Sequence, residues 1–376
     1  MKIIELPFKI EKPILACGAD LKGAFALAKG NKAYLIEGFG SLSDPDNLGA
    51  YEASICACEK RLGIRPKVIV CDRHPDYFSG RFAAMHALKL ATTDLRHIQH
   101  HEAHIASAIV EHSIGTDVIG AAFDGTGYGW DGRIWGGEFF VGGLKEFQRA
   151  AHLEYMPMPG GEAAIREPWR MAASYLYKTF GRNFLKQGLD IMARPGEKRL
   201  SIIRKMIDND INSPLTSSAG RLFDAAASLI LHKGTASFEA ELPIDLEKIA
   251  SQVNEDCYKF GIKSENGMRI IETSGLVKGI VSDLRKKRDR SIMSAKFHNT
   301  VAEMVVGTAS LLRKEFKLRK IVLSGGVFQN KYLTKRTALL LSKNKFDVYI
   351  NSDVNTNDYG IPIGQLAIAN ARGSCA

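Results

Sequence analysis

Three histidines and a carboxylate lie close together in one part of the sequence. His100, His101 and His104 stand on a short run that is compatible with a helix, and Asp124 follows in VIGAAFDGTGYG, residues 118–129. Imidazoles four residues apart on one helix face can share a metal ion. A buried strand that runs into Asp-Gly-Thr-Gly can bring a carboxylate and free backbone N–H groups to one point. This region therefore predicts a metal ion next to a phosphate-bearing ligand.

The predicted metal site would combine two imidazoles with one or two carboxylates. His100 and His104 have the required spacing, although His101 with a different partner would also serve. Asp124 would come from the strand end, and Asp358, in the turn NTNDYG, is a candidate for a distant fourth ligand. A set of two nitrogen and two oxygen ligands suits Zn(II) or Fe(II).

A nucleotide site is indicated by turns rather than by a single phosphate-binding motif. Glycine-rich turns follow apolar strands in AAFDGTGYG (121–129) and VLSGGVFQN (322–330), and an early hairpin turn carries Lys22. Glycines allow backbone N–H groups to approach phosphates. The sequence has no GxxxxGK(S/T) motif, and no GxGxxG opens a helix in the early βαβ unit, which disfavours Walker-type and Rossmann-type sites. The three turns fit the actin-like ATPase (ASKHA) fold, in which a nucleotide lies between two related lobes.

The elements that must position these residues alternate between helix and strand, which indicates an α/β protein. The strand KVIVCD (67–72) leads into the segment 72–77 at its carboxyl end, where open α/β sheets usually bind ligands. We predict two lobes around a nucleotide cleft. Lobe I comprises residues 1–117, with a helix in 357–376 returning to it. Lobe II comprises residues 118–356 and carries the DGTG and SGG turns.

Composition and charge exclude several classes of protein. Of 376 residues, 45% are apolar and 24% charged, as in globular proteins, and no apolar run is long enough for a membrane span. The N-terminus lacks a signal-peptide pattern. The six cysteines form no CxxC pair, which predicts reduced thiols and a cytoplasmic protein, with Cys375 a thiol of the tail. The net charge is +10, but the basic residues are spread out and do not interleave with aromatic residues, so nucleic acid is not an expected partner.

Several long motifs together resemble the carbamoyltransferase domain of the HypF family of nickel–iron hydrogenase maturation proteins. They cover nearly the whole chain: GADLK (18–22), DRHPDY (72–77), QHHEAHIAS (99–107), FDGTGYGWDGRIWGGEF (123–139), PGGEAAIREPWRM (159–171), GRLFDAAASL (220–229), SAKFHNTVAEM (294–304), LSGGVFQN (323–330) and NDYGIPIGQ (357–365). The antibiotic O-carbamoyltransferases of the TobZ type are related. The tRNA threonylcarbamoyl-adenosine synthases are more distant relatives with the same actin-like core.

The resemblance implies an enzyme that binds carbamoyl-adenylate, formed from ATP, beside a metal ion. The carbamoyl group would pass to the C-terminal cysteine thiolate of a HypE-like acceptor protein. By motif position, the metal ligands would be His100, His104, Asp124 and Asp358. The phosphate would face Gly125, Thr126 and Gly127; the adenosine would lie beside Gly325, Gly326 and Asn330; and the ribose would contact Asp224. Asp124, Lys22 and Arg166 would be catalytic, the last two on the phosphate or carbamoyl oxygens.

The sequence also departs from the family pattern. HHEAH and NDYG stand where HypF-type chains usually have HHHAH and NDGG, so the roles of Glu102 and Tyr359 stay open. ASFEAEL (236–242) replaces a YEGQA-like segment, which weakens a nucleotide contact for Glu239. The acylphosphatase, zinc-finger and YrdC-like domains of the family are not found in this sequence. This fits an excised domain, a split protein that a separate YrdC-like protein supplies with carbamoyl-adenylate, or a paralogue with another acceptor.

Two other functions remain open on the sequence. One is O-carbamoylation of a small-molecule hydroxyl. The other is a non-catalytic, nucleotide-binding subunit that keeps the actin-like fold. The DGTGYG and DRHPDY motifs argue against a tRNA-modifying enzyme.

Overall fold

The computed structural model describes residues 1–90, 94–193 and 195–373. Cys375 and the end of the predicted terminal helix lie outside the described residues. Among the helices that are described, none has both the length and the apolar character needed to cross a membrane.

The amino-terminal part forms a four-stranded sheet with three helices. Its elements are β1 (Lys2–Ala16), β2 (Ala24–Glu37), α1 (Pro45–Leu62), β3 (Val68–Asp72), α2 (Phe78–Leu90), β4 (Asp94–Ile98) and α3 (His100–Glu111). The strand order is β2-β1-β3-β4, in which β2 is antiparallel to β1 while β3 and β4 are parallel to it.

The middle of the chain forms a nine-stranded sheet and most of the helices. Its elements are β5 (Val118–Tyr128), β6 (Ile134–Gly143), β7 (Glu146–Leu153), β8 (Met156–Pro157), α4 (Ala163–Arg166), α5 (Trp169–Phe180), α6 (Asp190–Ala193), α7 (Gly196–Asp208), β9 (Leu215–Thr216), α8 (Ala219–Leu231), α9 (Glu241–Lys248), β10 (Gly261–Glu265), β11 (Met268–Glu272), α10 (Ser274–Arg285), α11 (Arg290–Phe316), β12 (Lys320–Ser324), α12 (Lys331–Lys343) and β13 (Asp347–Ile350). The last helix, α13 (Ile361–Gly373), follows a 3₁₀ turn at Asp358–Gly360.

The two sheets repeat one pattern. In the second sheet, β6 and β7 form an antiparallel meander on one side of β5, and β12 and β13 lie parallel to β5 on the other. In both sheets, therefore, a central strand separates antiparallel from parallel neighbours. The carboxyl ends of parallel strands form one edge of a sheet, and turns at that edge are placed to meet a ligand.

Helix α3 is buried on every side because it lies between the two sheets. Ile105 packs in one apolar cluster with residues of β5 and β12, while Ala103 and Ala106 pack in another with β1 and α13. A position between two layers explains why residues on all faces of α3 are buried, including the polar side chains of its first turns. Gly120 of β5 allows this packing, since a Cβ there would clash with Ile105.

Helix α13 packs back against the first sheet. Gly364 lies so close to the Ala103 carbonyl that a Cβ would clash with it. The Gln365 amide pairs with the backbone of Gly18 in both directions: Gly18 N donates to Oε1 at 2.8 Å, and Nε2 donates to Gly18 O at 3.0 Å. The division of the chain into lobes at residues 117 and 118 stays a proposal, which this packing of α13 supports.

Candidate functional site

Four buried side chains from three separate elements meet at one point. His100 and His104 lie in the first turns of α3, Asp124 lies near the end of β5, and Asp358 begins the 3₁₀ turn before α13. One ligand atom from each residue lies within 4.8 Å of all the others. We call these four residues the ligand group. The structure thus brings together the four residues that the resemblance implied as metal ligands.

The spacing within the ligand group suits an ion rather than direct hydrogen bonds. His100 Nε2 lies 3.4 Å from Asp124 Oδ2, and His104 Nε2 lies 3.6 Å from Asp358 Oδ1. Both Nε2 atoms are buried and have no hydrogen-bond partner among the described residues. Two ligand atoms about 2.1 Å from one tetrahedral ion are separated by about 3.4 Å. Two nitrogens and two carboxylate oxygens at this spacing fit Zn(II) or Fe(II).

A second layer of contacts orients the ligand group. His100 Nδ1 lies 2.8 Å from Asp72 Oδ2, at the end of β3, so its Nε2 faces the group. Asp124 Oδ1 accepts a hydrogen bond of 2.9 Å from Gly326 N, which leaves Oδ2 to face the imidazoles. Such outer contacts fix the rotamer and the basicity of metal ligands. We had not assigned a role to Asp72, although the DRHPDY motif placed it at a strand end.

The electrostatics of the ligand group favour a bound cation. Burial disfavours the charged form of His100, but Asp72 and Asp124 outweigh it, so the pKa of His100 is raised well above its ordinary value. Burial opposes ionisation of Asp124, yet His100 and His104 hold its pKa well below the ordinary value. Asp124 is therefore an anion, and a metal ion would supply the positive charge that protons on the imidazoles otherwise provide.

His101 and Gly127 support the ligand group from behind. His101 is not part of the group; its Nδ1 lies 3.1 Å from Gln99 Nε2, and burial lowers its pKa. A Cβ at Gly127 would clash with the His101 ring and lie 2.9 Å from His100 Cδ2. Gly127 thus makes room for imidazoles and is not part of the cleft lining described below, and its contact with a phosphate stays a prediction.

A cavity of about 400 Å³ opens beside the ligand group. We call it the cleft. Asp124 and Asp358 belong to both the ligand group and the cleft lining. The predicted residues that line the cleft are Lys22, Asp124, Gly125, Thr126, Asp224, Gly326, Asn330 and Asp358. The carboxylates of Asp124 and Asp358 therefore connect the candidate metal site to the candidate nucleotide site.

Gly325 lies behind the cleft rather than in its lining. Its φ is +102°, which L side chains rarely adopt, and a Cβ would clash with the Phe123 carbonyl. The residue thus allows the end of β12 to approach the end of β5. Gly326, which follows, lines the cleft and donates its N–H to Asp124. Gly325 thus serves the close approach of two parallel strand ends, and its contact with adenosine stays a prediction.

Asp224 lies in the cleft with Arg221, which sequence reasoning missed, and with Glu239, whose nucleotide contact the sequence had weakened. Arg221 NH2 lies 3.1 Å from Asp224 Oδ2, while its buried Nε and NH1 have no partner among the described residues. Burial raises the pKa of Asp224 to about 6, although Arg221 opposes this. Burial also raises the pKa of Glu239, which Lys22 opposes. The spacing of Arg221 and Asp224, three residues apart on α8, was the available signal.

Arg166 lies away from the cleft, whereas Asn330 lies in its lining and also makes contacts within the protein. The Arg166 side chain is 77% exposed and faces Glu162 at 4.0 Å, and it is not part of the cleft lining. The structure therefore gives no support to a contact of Arg166 with phosphate or carbamoyl oxygens, which stays a prediction. Asn330 does line the cleft, but its Oδ1 caps α12 at Leu333 N and its Nδ2 lies 2.9 Å from His298 Nε2.

The open question about Glu102 has a structural answer. The Arg372 NH2 group lies 2.6 Å from Glu102 Oε2, and the Glu102 side chain is only 2% exposed. Burial raises the pKa of Glu102, and Arg372 opposes this rise. Glu102 therefore joins α3 to α13 and is not part of the ligand group. Tyr359, next to Asp358, is partly buried and donates its N–H to Asn357.

The chain is similar to known proteins over nearly its whole length. The family model described as carbamoyltransferase, Kae1-like domain, second subdomain matches residues 120–365, and the HypF Kae1-like domain matches residues 9–111. Carbamoyltransferase HypF of Synechocystis sp. is 33% identical over 96% of this chain and 48% of its own length. A carbamoyltransferase HypF homolog of Cupriavidus necator is 32% identical over 95% of this chain and 91% of its own length.

A solved structure confirms the predicted fold class. A full-length HypF in its phosphate- and nucleotide-bound form matches with a TM-score of 0.92 and 38% identity, over 98% of this chain and 57% of that chain. The chain thus spans about half the length of the Synechocystis relative. The mixed α/β, actin-like architecture follows from both the sheet topology and this match.

Proposed function

Because the chain belongs to the HypF carbamoyltransferase family, we propose that it transfers a carbamoyl group from carbamoyl-adenylate to the C-terminal cysteine thiol of a HypE-like acceptor protein. The observation that carries this proposal is the continuity of the ligand group with the cleft. Asp124 and Asp358 border both, so a nucleotide in the cleft would bring its reacting end to the ligand group. In the proposal, the protein acts in the cytoplasm.

The cleft offers suitable partners for each part of carbamoyl-adenylate. Gly125, Thr126 and Gly326 line the edge of the cleft next to Asp124, where the phosphate would lie. Lys22, from the opposite sheet, adds a positive charge there. Asp224 would bind ribose hydroxyls, and the unpartnered nitrogens of Arg221 would meet further oxygens. The nucleotide-bound relative is consistent with this use of the cleft.

His100, His104, Asp124 and Asp358 would hold Zn(II) or Fe(II). Bound there, the ion would act as a Lewis acid on a carbamoyl or bridging phosphate oxygen. The protein's own residues meet the charge of the leaving phosphate with backbone N–H groups and Lys22. Fixed donors of this kind stabilise a transition state because they need no reorganisation during the reaction.

The overall transfer balances without a further reactant. The bond between the carbamoyl carbon and the phosphate oxygen breaks, and AMP leaves with the electron pair. The acceptor sulfur forms a new bond to the carbamoyl carbon, and its proton passes to solvent. The product is a thiocarbamate on the acceptor.

Transfer from synthetic carbamoyl-adenylate tests this function directly. The purified, metal-loaded chain should add one carbamoyl group to the C-terminal cysteine of a HypE-like protein, as seen by intact-mass and peptide mass spectrometry. A HypE-like protein with that cysteine changed to serine is the control and should stay unmodified. Transfer to a sugar hydroxyl instead would assign the chain to the O-carbamoyl branch. Binding of nucleotide without any transfer would favour a non-catalytic subunit.

A further inference from the structure

The amino-terminal end of α8 lies directly against the turn that follows Asp124. A Cβ at Gly220, in the first turn of α8, would lie 2.8 Å from Gly125 Cα, so glycine allows this approach. The Oγ of Ser218, the N-cap, accepts a hydrogen bond of 3.1 Å from Arg221 N. The same Oγ lies 2.9 Å and 2.6 Å from the carbonyl oxygens of Asp124 and Gly125. The first turn of a helix carries a partial positive charge, which favours an anion beside it.

Arg221 stands in this first turn, and its side chain lines the cleft. The side chain is only 4% exposed, and its NH2 lies 3.1 Å from Asp224 Oδ2. Its Nε and NH1 atoms are buried and have no hydrogen-bond partner among the described residues. Burying a charged group with unsatisfied donors is costly, and a guanidinium can only donate. The cleft therefore holds a fixed cation whose remaining donors await acceptors from a ligand.

The position of this cation is the edge of the cleft where the phosphate would lie. A Cβ at Gly125 would be 3.7 Å from Arg221 NH2, and Gly125 directly follows Asp124 of the ligand group. Among the described residues, only Lys22 and Arg221 bring positive charge to the cleft lining. Carboxylates in the same lining belong to Asp124, Asp224, Glu239, Glu247 and Asp358. An anion in so acidic a cleft needs a cation that is held in place, and Arg221 is buried whereas Lys22 is partly exposed.

We propose that Arg221 binds the phosphate of carbamoyl-adenylate and is a catalytic residue of the transfer. This role rests on the proposed function. The phosphate carries one negative charge in carbamoyl-adenylate, and it gains a second when its bond to the carbamoyl carbon breaks and AMP leaves with the electron pair. The acceptor proton goes to solvent, and Arg221 transfers none. A guanidinium can meet two phosphate oxygens at once, and its attraction grows as the charge develops, which stabilises the transition state more than the bound substrate.

Arg221→Gln removes the charge and keeps part of the side chain's length. We expect its affinity for AMP, measured by calorimetry, to fall about 10-fold to 100-fold, because hydrogen bonds to a charged group are lost. Its affinity for adenosine, which has the same base and ribose but no phosphate, should change little. In the transfer from synthetic carbamoyl-adenylate to the HypE-like protein, kcat should fall about 100-fold, whereas KM should rise by a smaller factor than Kd for AMP.

Two further variants separate charge from shape and from stability. Arg221→Lys keeps the charge without the planar fork, so it should retain more affinity for AMP than Arg221→Gln. Arg170→Gln is the matched control, since Arg170 pairs with Glu167 at 2.6 Å and lies outside the cleft lining. This control should lower stability and leave kcat and both affinities unchanged.

Equal losses of AMP and adenosine affinity in Arg221→Gln would overturn the inference, because Arg221 would then only support the shape of the cleft. An unchanged kcat would also overturn it. If Arg221→Gln does not fold, the double variant with Asp224→Asn removes both charges of the pair, and its comparison with Asp224→Asn alone gives the same measurement. If the unsubstituted chain prefers AMP to adenosine but transfers no carbamoyl group, the proposed function fails while the phosphate site stands.

Discussion

The two sheets of the molecule have the same plan and contribute different chemistry to the site. At the edge of the four-stranded sheet, Asp72, His100 and His104 supply side chains that are buried and linked to one another. At the edge of the nine-stranded sheet, glycine turns around Asp124 and Gly326 supply backbone groups and space.

This difference determines which kind of substitution disrupts each half of the site. A site made of side chains fails when an atom is removed, because no other group can take the position of an imidazole. A site made of turns fails when an atom is added, because a Cβ occupies the space that a strand end or a ligand needs. The following predictions test this contrast, from the largest expected effect to the smallest.

Removal of one imidazole should have the largest effect. His104→Ala deletes a ligand whose Nε2 has no other partner, so we expect the purified chain to lose its bound Zn or Fe, as measured by elemental analysis. His86→Ala is the control: it removes a buried histidine of helix α2 that pairs with Glu59, and this variant should keep full metal content. Full metal content in His104→Ala would refute the assignment of the ligand group.

Addition of one methyl group should be the most damaging change in the second sheet. Gly325→Ala combines a φ of +102° with a clash at the Phe123 carbonyl, so we expect the free energy of unfolding to fall by about 3–5 kcal/mol. Gly267→Ala is the control, since φ is +79° but nothing lies within 4 Å of the new Cβ. It should cost about 1 kcal/mol.

Urea unfolding of both glycine variants gives the comparison, because the difference between them isolates the clash from the backbone strain. Equal losses of stability in Gly325→Ala and Gly267→Ala would mean that the close approach of β5 and β12 is not tight.

Glu102 should matter for stability and not for metal binding. Glu102→Gln keeps the shape but loses the charge that faces Arg372, so we expect a loss of about 1–3 kcal/mol in the free energy of unfolding. Arg372→Gln breaks the same pair from α13 and should have an effect of similar sign. Both variants should retain the metal. Metal loss in Glu102→Gln alone would show that this carboxylate serves the ligand group.

The smallest effect should be a pH dependence of nucleotide binding. The pKa of Asp224 is raised to about 6 from an ordinary value of 3.8, so this carboxyl becomes neutral as the pH falls through 6. A neutral Asp224 accepts hydrogen bonds from ribose hydroxyls less well, and ADP affinity should fall by up to about tenfold per pH unit below 6.

The effect of Asp224 on folding has the opposite sign, because its folded-state pKa is raised. Its ionisation costs stability, so its contribution is most favourable below pH 3.8 and becomes less favourable as the pH rises through 6. Calorimetry with ADP between pH 5 and 7 measures the affinity, and Asp224→Asn should remove the pH dependence in that range. If ADP affinity in Asp224→Asn depends on pH as it does in the unsubstituted chain, another titrating group causes the dependence.

The sequence predicted much of this site because parts of it depend on local periodicity. The pair His100 and His104 follows from helical spacing, and Asp124 follows from its position at the end of an apolar strand. Asp358 was proposed from the polar turn NTNDYG and by the resemblance, while its approach to α3 depends on the packing of α13, which no local pattern shows. The actin-like α/β class is confirmed, while the functional roles of the site residues stay predictions.

Sequence reasoning does not show the direction in which a residue faces, and the features that it missed in this site depend on that direction. The sequence predicts ligand contacts for Gly127 and Gly325, which stay predictions, but it does not reveal that the space beside each glycine is filled by neighbouring protein atoms. Arg166 was assigned by its motif, and the short helix α4 leaves it exposed. Asp72 acts through His100, and Arg221 lines the cleft beside Asp224; both placements become visible only once the strand order and the helix packing are known.

The return of α13 to the first sheet also affects how the chain can fold as it is made. Strands β1–β4 emerge from the ribosome first, but Gln365 and the apolar residues of α13 that cover them emerge after the whole second sheet. Domains generally fold in the order of synthesis, and exposed apolar surface invites aggregation. We therefore expect β1 to stay sensitive to protease in ribosome-stalled chains that end before residue 361, and to become resistant once α13 is available.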